Sequence, residues 1–265
     1  MEANVITDAS VGAAREDSLD DLSATTIHIA TLAIDRLYPA DWRRLESILD
    51  QAERTRAARY CFAADRQAFI AAHGLVRFLL SARREVAPDA WQFAAGSFGK
   101  PMITGPSLES KYHFSLTHTR RRVAAAVYQG NREIALGLDL ETVAQQTSDL
   151  AIADAFFAPT ERAQLLAITD PDLRQEHFIA LWTLKESVIK ATGLGLSQPL
   201  ADFACDFDPI RVRFQDSESF RGYWHFRQWR PDTNHFMALA VCWPQADPPG
   251  IRERSFDSGS LDPIL

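Results

Sequence analysis

Strand-like alternation and helical periodicity take turns along this chain, and the cycle runs twice. TIHIATLAI at 26–34 alternates as a strand does. Helical patterns follow at DWRRLESILDQAERTRAARYCF (41–62) and DRQAFIAAHGLVRFLLSARREV (65–86). Short strand-like runs come next: WQFAA, YHFSLTH, VAAAVY and EIALGLDLE. The order then repeats, with helices expected at 148–156, 159–168 and 172–192. Strands are expected at 200–207, 210–214, 222–229 and 236–243. Helices followed by a small antiparallel sheet, twice over, read as an α+β fold in two similar halves. The N-terminal half is placed at 26–134 and the C-terminal half at 135–243, with the join near 130–136.

The ends read differently. Residues 1–25 are acidic, small and poor in aromatics, the composition of a disordered segment. They have neither the basic start nor the apolar core of a signal peptide. Residues 244–265, rich in Pro, Gly, Ser and Asp, are expected to be a loosely attached tail. No apolar run reaches the roughly 18 residues of a membrane span, so no membrane partner is expected. A net charge of −7 argues against broad attraction to nucleic acid. Cys61, Cys205 and Cys242 are odd in number and far apart, with no disulfide or zinc spacing. That fits a reducing cytoplasm.

Two segments of the C-terminal half carry charge in unusual places. In GLDLE (137–141), Leu138 and Leu140 point to one face of a strand and Asp139 and Glu141 to the other. Paired carboxylates of this kind suit a hard divalent cation, although taken alone they read more simply as the wet acidic face of a half-buried strand. In FIALWTLKESVIK (178–190), Phe178, Leu181, Trp182, Val188 and Ile189 form an apolar helical stripe. Lys185 stands near its middle and Glu186 at its edge. Lys185 either snorkels to water or meets an anion, such as a phosphate or the carboxylates of GLDLE. Glu186 and Lys190 form an i,i+4 pair.

The N-terminal half adds two pieces. SFGKP (97–101) places Lys100 at the tip of a turn, either exposed or held beside a phosphate as a point charge. In YHFSLTHT (112–119), Phe114 and Leu116 share one face and Ser115, Thr117 and Thr119 the other. His118 ends the strand. Thr117 and His118 either satisfy local backbone or donate to phosphate oxygens. His113 and His118 lack the third ligand of a zinc site. GLGLSQPL (193–200) ends the long helix at Gly193.

Together these segments resemble the 4′-phosphopantetheinyl transferases, in particular the larger type made of two fused halves. FGKP, FSLTHT, GLDLE and LWTLKESVIKATGLGL match the family's motifs in order, over about 54–207. FFAPTERAQL, a helical segment, lies between the last two. Ser115, Thr117 and Thr119 depart from the family's usual asparagine and serines. Ala68 falls near the place of an arginine that grips the 3′-phosphate of coenzyme A, so Arg66, Arg59 or His73 is expected to substitute.

The resemblance implies a fold of two α+β halves related by a pseudo-twofold axis, with coenzyme A in the cleft between them. It implies Mg²⁺ (or Mn²⁺) held by Asp139, Glu141 and Glu186, with Glu186 as general base and Lys190 facing phosphate. Lys100, Pro101, Ser115, Thr117, His118, Lys185 and Arg66 are the further coenzyme-binding candidates. The reaction implied is transfer of 4′-phosphopantetheine to a serine of an apo acyl, peptidyl or aryl carrier protein, by a monomer. Arg120, Arg121 and Arg122, or the segment 143–160 with Phe156 and Phe157, would meet the carrier. The competing readings are a Mg²⁺-dependent phosphoesterase and a non-catalytic coenzyme A-binding protein.

Overall fold

In a computed structural model, residues 25–82, 85–96, 98–143, 150–215 and 222–258 are described. The N-terminal segment and residues 144–149 lie outside them, so the disorder expected of the first 25 residues falls almost wholly outside the described residues. The chain divides into two units. Of the described residues, one unit takes those within 133–248, and the other joins those within 25–132 with 249–258.

The N-terminal unit starts with β1 (Thr26–Ala33), followed by α1 (Pro39–Ser47), α2 (Gln51–Ala57) and α3 (Ala63–Leu80). The single helix expected over 41–62 is broken in two. Asp50 accepts the Glu53 amide at 2.8 Å, and Glu53 accepts the Asp50 amide at 3.0 Å. This reciprocal cap restarts the helix at Gln51. A two-stranded ribbon, β2 (Gln92–Ala95) and β3 (Pro101–Gly105), precedes β4 (Tyr112–His118) and β5 (Arg122–Gln129). Leu32, Phe114, Val123, Ala125 and Val127 form one core with the α3 residues Phe69, Ala72, Val76 and Leu80. Arg77, fully buried on α3, is held by Glu53 and Asp50 carboxylates and by the Pro88 and Trp91 carbonyls.

The C-terminal unit repeats the plan. β6 (Ala135–Thr142) leads into α4 (Leu150–Phe156), α5 (Pro159–Ala167) and α6 (Pro171–Thr192). A ribbon of β7 (Phe203–Asp206) and β8 (Arg211–Phe214) is followed by β9 (Tyr223–Asp232) and β10 (His235–Trp243). Its main sheet runs β6-β10-β9, antiparallel throughout. The first unit's sheet contains β1-β5-β4 in the same order and sense. The repetition read in the sequence is thus a repetition of topology: first strand, helices, ribbon, then a hairpin whose second strand pairs with the first.

The tail expected to be loose over 244–265 is a correction over its described residues, up to 258; residues 259–265 lie outside them. Gly250–Phe256 form β11, which pairs with β1 in parallel and extends the N-terminal unit's sheet. Phe256 is 3% exposed and belongs to that unit's core. Ser258 Oγ donates to Asp41 Oδ2 at 2.9 Å. Pro, Asp and Ser around GIRERSF masked a short strand whose polar outer residues suit a sheet edge.

Candidate active site

From Phe178 onward the long helix α6 is buried almost all round, which requires neighbours on every side. One face rests on the sheet. In register, Gly137, Asp139 and Glu141 of β6 stand opposite Ala240, Ala238 and Phe236 of β10. Ala238 and Ala240 pack in the core around α6. Asp139 and Glu141 therefore face the helix and not solvent, and Asp139 is only 3% exposed.

Gly137 explains how close the helix comes. A Cβ there would lie 1.9 Å from the Ser187 carbonyl oxygen and 2.4 Å from the Ala191 nitrogen. Only glycine admits backbone so near. Ser187 and Ala191 directly follow Glu186 and Lys190, so this contact sets the height of both charged side chains over β6. Lys190 Nζ meets Asp139 Oδ1 at 2.6 Å. Trp182, stacked on Phe157 and Phe178, donates from Nε1 to Glu141 Oε1 at 3.2 Å.

Burial and shared charge shape these carboxyls. Glu141 is pushed up to about 8, first by burial and then by Asp139; Lys190 and the Trp182 hydrogen bond act against the rise. Glu186 is also raised, by burial and then by Asp139, with Lys190 opposing. Hard oxygen donors crowded with excess negative charge are chemically suited to a divalent cation. Their present arrangement is not yet a cage: among the described residues no three His, Cys, Asp or Glu side chains are set to hold one ion.

Lys185 is a correction. It does not join this group. Fully buried, its Nζ pairs with Glu161 Oε2 at 2.9 Å and donates to the Leu200 and Phe203 carbonyls at 2.8 and 2.6 Å. Phe203 lies beneath it at 4.3 Å. Successive helix residues point about 100° apart, so Lys185 lies about 200° round from Ser187 and faces away from the sheet. The anion that a charge in an apolar stripe requires is a side chain, not a phosphate. Glu161 also accepts the amides of Ala158 and Cys205 at 2.9 and 2.7 Å.

Three contributors were missed from the sequence: Gly137, Trp182 and Glu161. Proline at the first position of α5 and glutamate at the third were a visible signal, since that pattern caps a helix start. The second partner of Glu161, 24 residues on, has no such local sign.

The remaining candidates fall in the N-terminal unit. Lys100 sits half-buried in the turn before β3, where Gly99 takes a left-handed φ of 85°. Burial pulls its ammonium down to about 8. Pro101 opens β3. Ser115 and Thr117 are buried on one face of β4, and His118 is exposed at its end. Arg66 is exposed on α3, 3.8 Å from Glu46. Arg59 is exposed, whereas His73 is engaged by Glu53 at 2.7 Å and lies tilted against the Phe69 ring, centroids 4.0 Å apart. Of the expected carrier-facing residues, Arg120 and Arg121 are exposed; Arg122 is half-buried and donates to Thr31 Oγ1. Phe156 is exposed, but Phe157 is core, which removes it from any surface.

Residues 135–242 match the family model of the 4′-phosphopantetheinyl transferase superfamily. Residues 37–129 match the model described as 4′-phosphopantetheinyl transferase, N-terminal. The chain belongs to this family of enzymes. It is 30% identical over 222 residues to the 4′-phosphopantetheinyl transferase HetI of Nostoc sp., covering 83% of this chain and 89% of that protein. A 4′-phosphopantetheinyl transferase of Bacillus subtilis is 32% identical over 210 residues, 77% of this chain and 86% of its own length. Sfp of Bacillus subtilis, also a 4′-phosphopantetheinyl transferase, is 29% identical over 204 residues, 76% and 85% of the two chains.

Proposed function

We propose that this enzyme transfers the 4′-phosphopantetheine arm of coenzyme A to a serine hydroxyl of an apo acyl, peptidyl or aryl carrier protein, releasing 3′,5′-ADP, with Mg²⁺ as cofactor and as a cytoplasmic monomer. One observation supports the reading: Asp139, Glu141 and Glu186 raise one another's charge cost at the face between β6 and α6, Asp139 buried and both glutamates half-buried, with Lys190 paired to Asp139. In the reaction the serine oxygen forms a bond to the phosphorus next to pantetheine. The bond from that phosphorus to the ADP oxygen breaks, and the electron pair leaves on ADP. Such transfer is mostly positioning and electrostatic stabilisation.

Asp139, Glu141 and Glu186 are the residues that would hold Mg²⁺, which supplies charge neutralisation at the pyrophosphate when bound. Glu186 suits the general base. Burial and then Asp139 raise its pKa, which makes its carboxylate a better proton acceptor. Lys190, half-exposed on the same helix face, offers its ammonium to phosphate oxygens. Trp182 keeps Glu141 oriented through its indole hydrogen bond.

The test is intact-mass analysis of several apo carrier proteins incubated with enzyme, coenzyme A and Mg²⁺. The expected result is a gain of one phosphopantetheine on the carrier, abolished by Asp139→Ala. Hydrolysed coenzyme A with an unmodified carrier would mean a phosphoesterase. Tight coenzyme A binding without any turnover would mean a binding protein.

A further inference from the structure

The acidic cluster already contains a cation, and it belongs to the protein. Lys190 Nζ lies 2.6 Å from Asp139 Oδ1, with the lysine side chain 30% exposed and the aspartate 4%. The ammonium occupies the approach to this buried oxygen, and in this arrangement no three acidic side chains are set around one ion among the described residues. Two cations at one carboxylate oxygen repel strongly in a partly buried site. The lysine has a flexible four-carbon stem and is 30% exposed, so it can move while Asp139 stays fixed on its strand.

We propose that Lys190 is the resident counter-ion of this cluster, and that a divalent cation gains Asp139 only when Lys190 swings off it. This rests on the proposed site, but not on transfer taking place. A phosphate-bearing ligand that attracts Lys190 then strengthens divalent-cation binding, and the cation strengthens the ligand by the same factor, because coupling is reciprocal. The lysine thus makes the cluster a poor metal trap alone and a good one when the phosphate ligand is present.

Mn²⁺ alone is the probe, its free concentration read by electron paramagnetic resonance. Wild type, Lys190→Met and Lys190→Gln are titrated with and without coenzyme A, after circular dichroism confirms folding. Without coenzyme A, Lys190→Met binds Mn²⁺ about tenfold more tightly than wild type, a typical coupling factor. Coenzyme A tightens Mn²⁺ in wild type, and this enhancement shrinks in the variant by the factor gained. Lys190→Gln behaves likewise and serves in place of Lys190→Met if the latter does not fold. Mn²⁺ affinity equal to or weaker than wild type in the folded variants overturns the proposal, as does an absence of Mn²⁺ binding by wild type with coenzyme A. A wild type that fails the carrier mass-gain test, yet shows the tighter Mn²⁺ binding on loss of Lys190, sinks the transfer reading and not this one.

Discussion

Lys185→Met separates the two jobs that a lysine on this helix can have. Methionine keeps the unbranched stem between Phe157 and Phe203 and deletes the charge. Glu161 then remains at 1% side-chain exposure with the Ala158 and Cys205 amides still on it, but without its ammonium. Breaking a buried pair from one side costs about 3–5 kcal/mol. The retained amides offset part of that, which places the loss near 3 kcal/mol. With a urea slope of about 1–3 kcal/mol/M, the unfolding midpoint falls by about 1–3 M.

The assay is urea unfolding followed by tryptophan fluorescence, for which Trp182 and Trp224 report from the same unit. The double variant Lys185→Met/Glu161→Gln should recover part of the loss, since neither charge is left alone, giving a favourable interaction term in a double-mutant cycle. Coenzyme A affinity of the folded single variant should be unchanged. A midpoint that moves by less than about 0.3 M while coenzyme A affinity drops would refute the structural role and return Lys185 to the phosphate site.

Other outcomes follow from the same geometry. Gly137→Ala should cost about 1–3 kcal/mol, because a methyl 1.9 Å from a carbonyl forces the helix to shift. It should also lower transfer by about 10²-fold through misplacement of Glu186 and Lys190; wild-type turnover would show that the close approach is not needed. Glu141, usually near 4.5 but raised to about 8 when folded, keeps its proton where the unfolded chain has lost it. The metal-free folded state thus binds more protons across that window, and stability falls as pH rises through it. Melting temperature should decline between about pH 5 and pH 8, and Glu141→Gln should flatten the trend; a rise with pH would contradict the assignment. Deleting residues 249–265 removes β11 and buried Phe256, so the N-terminal unit should lose its cooperative melt. An unaltered melt would make the strand dispensable.

What the sequence showed clearly was whatever depends on local period. The α3 and α6 patterns, the strand alternation of 112–118 and the double cycle of elements are local signals and reappear as elements, although α3 stops at Leu80, short of the expected 86. GLDLE likewise presents its two carboxylates to one face. What was hidden depends on partners far along the chain. Nothing within the TLKES stretch says that Lys185 meets Glu161 and Glu186 does not. Nothing near Gly137 announces that a helix 50 residues later lies against it. GIRERSF carries too few apolar residues to be read as a strand, because a parallel edge needs only one good core residue and a free backbone.

The neighbouring residues Lys185 and Glu186 serve different ends because a helix turns about 100° between them. On its sheet side α6 is stopped by backbone contact at Gly137. On the opposite side it is held by Lys185 through Glu161 and two carbonyls. A helix fixed from both faces cannot slide or roll without breaking a buried ion pair or clashing with a strand. Glu186 and Lys190 project from the flank between these two constraints. The backbone positions of Glu186 and Lys190 over β6 are thus set by contacts remote from both charged groups, and fixed backbone of this kind is what the proposed transfer needs of its charged residues.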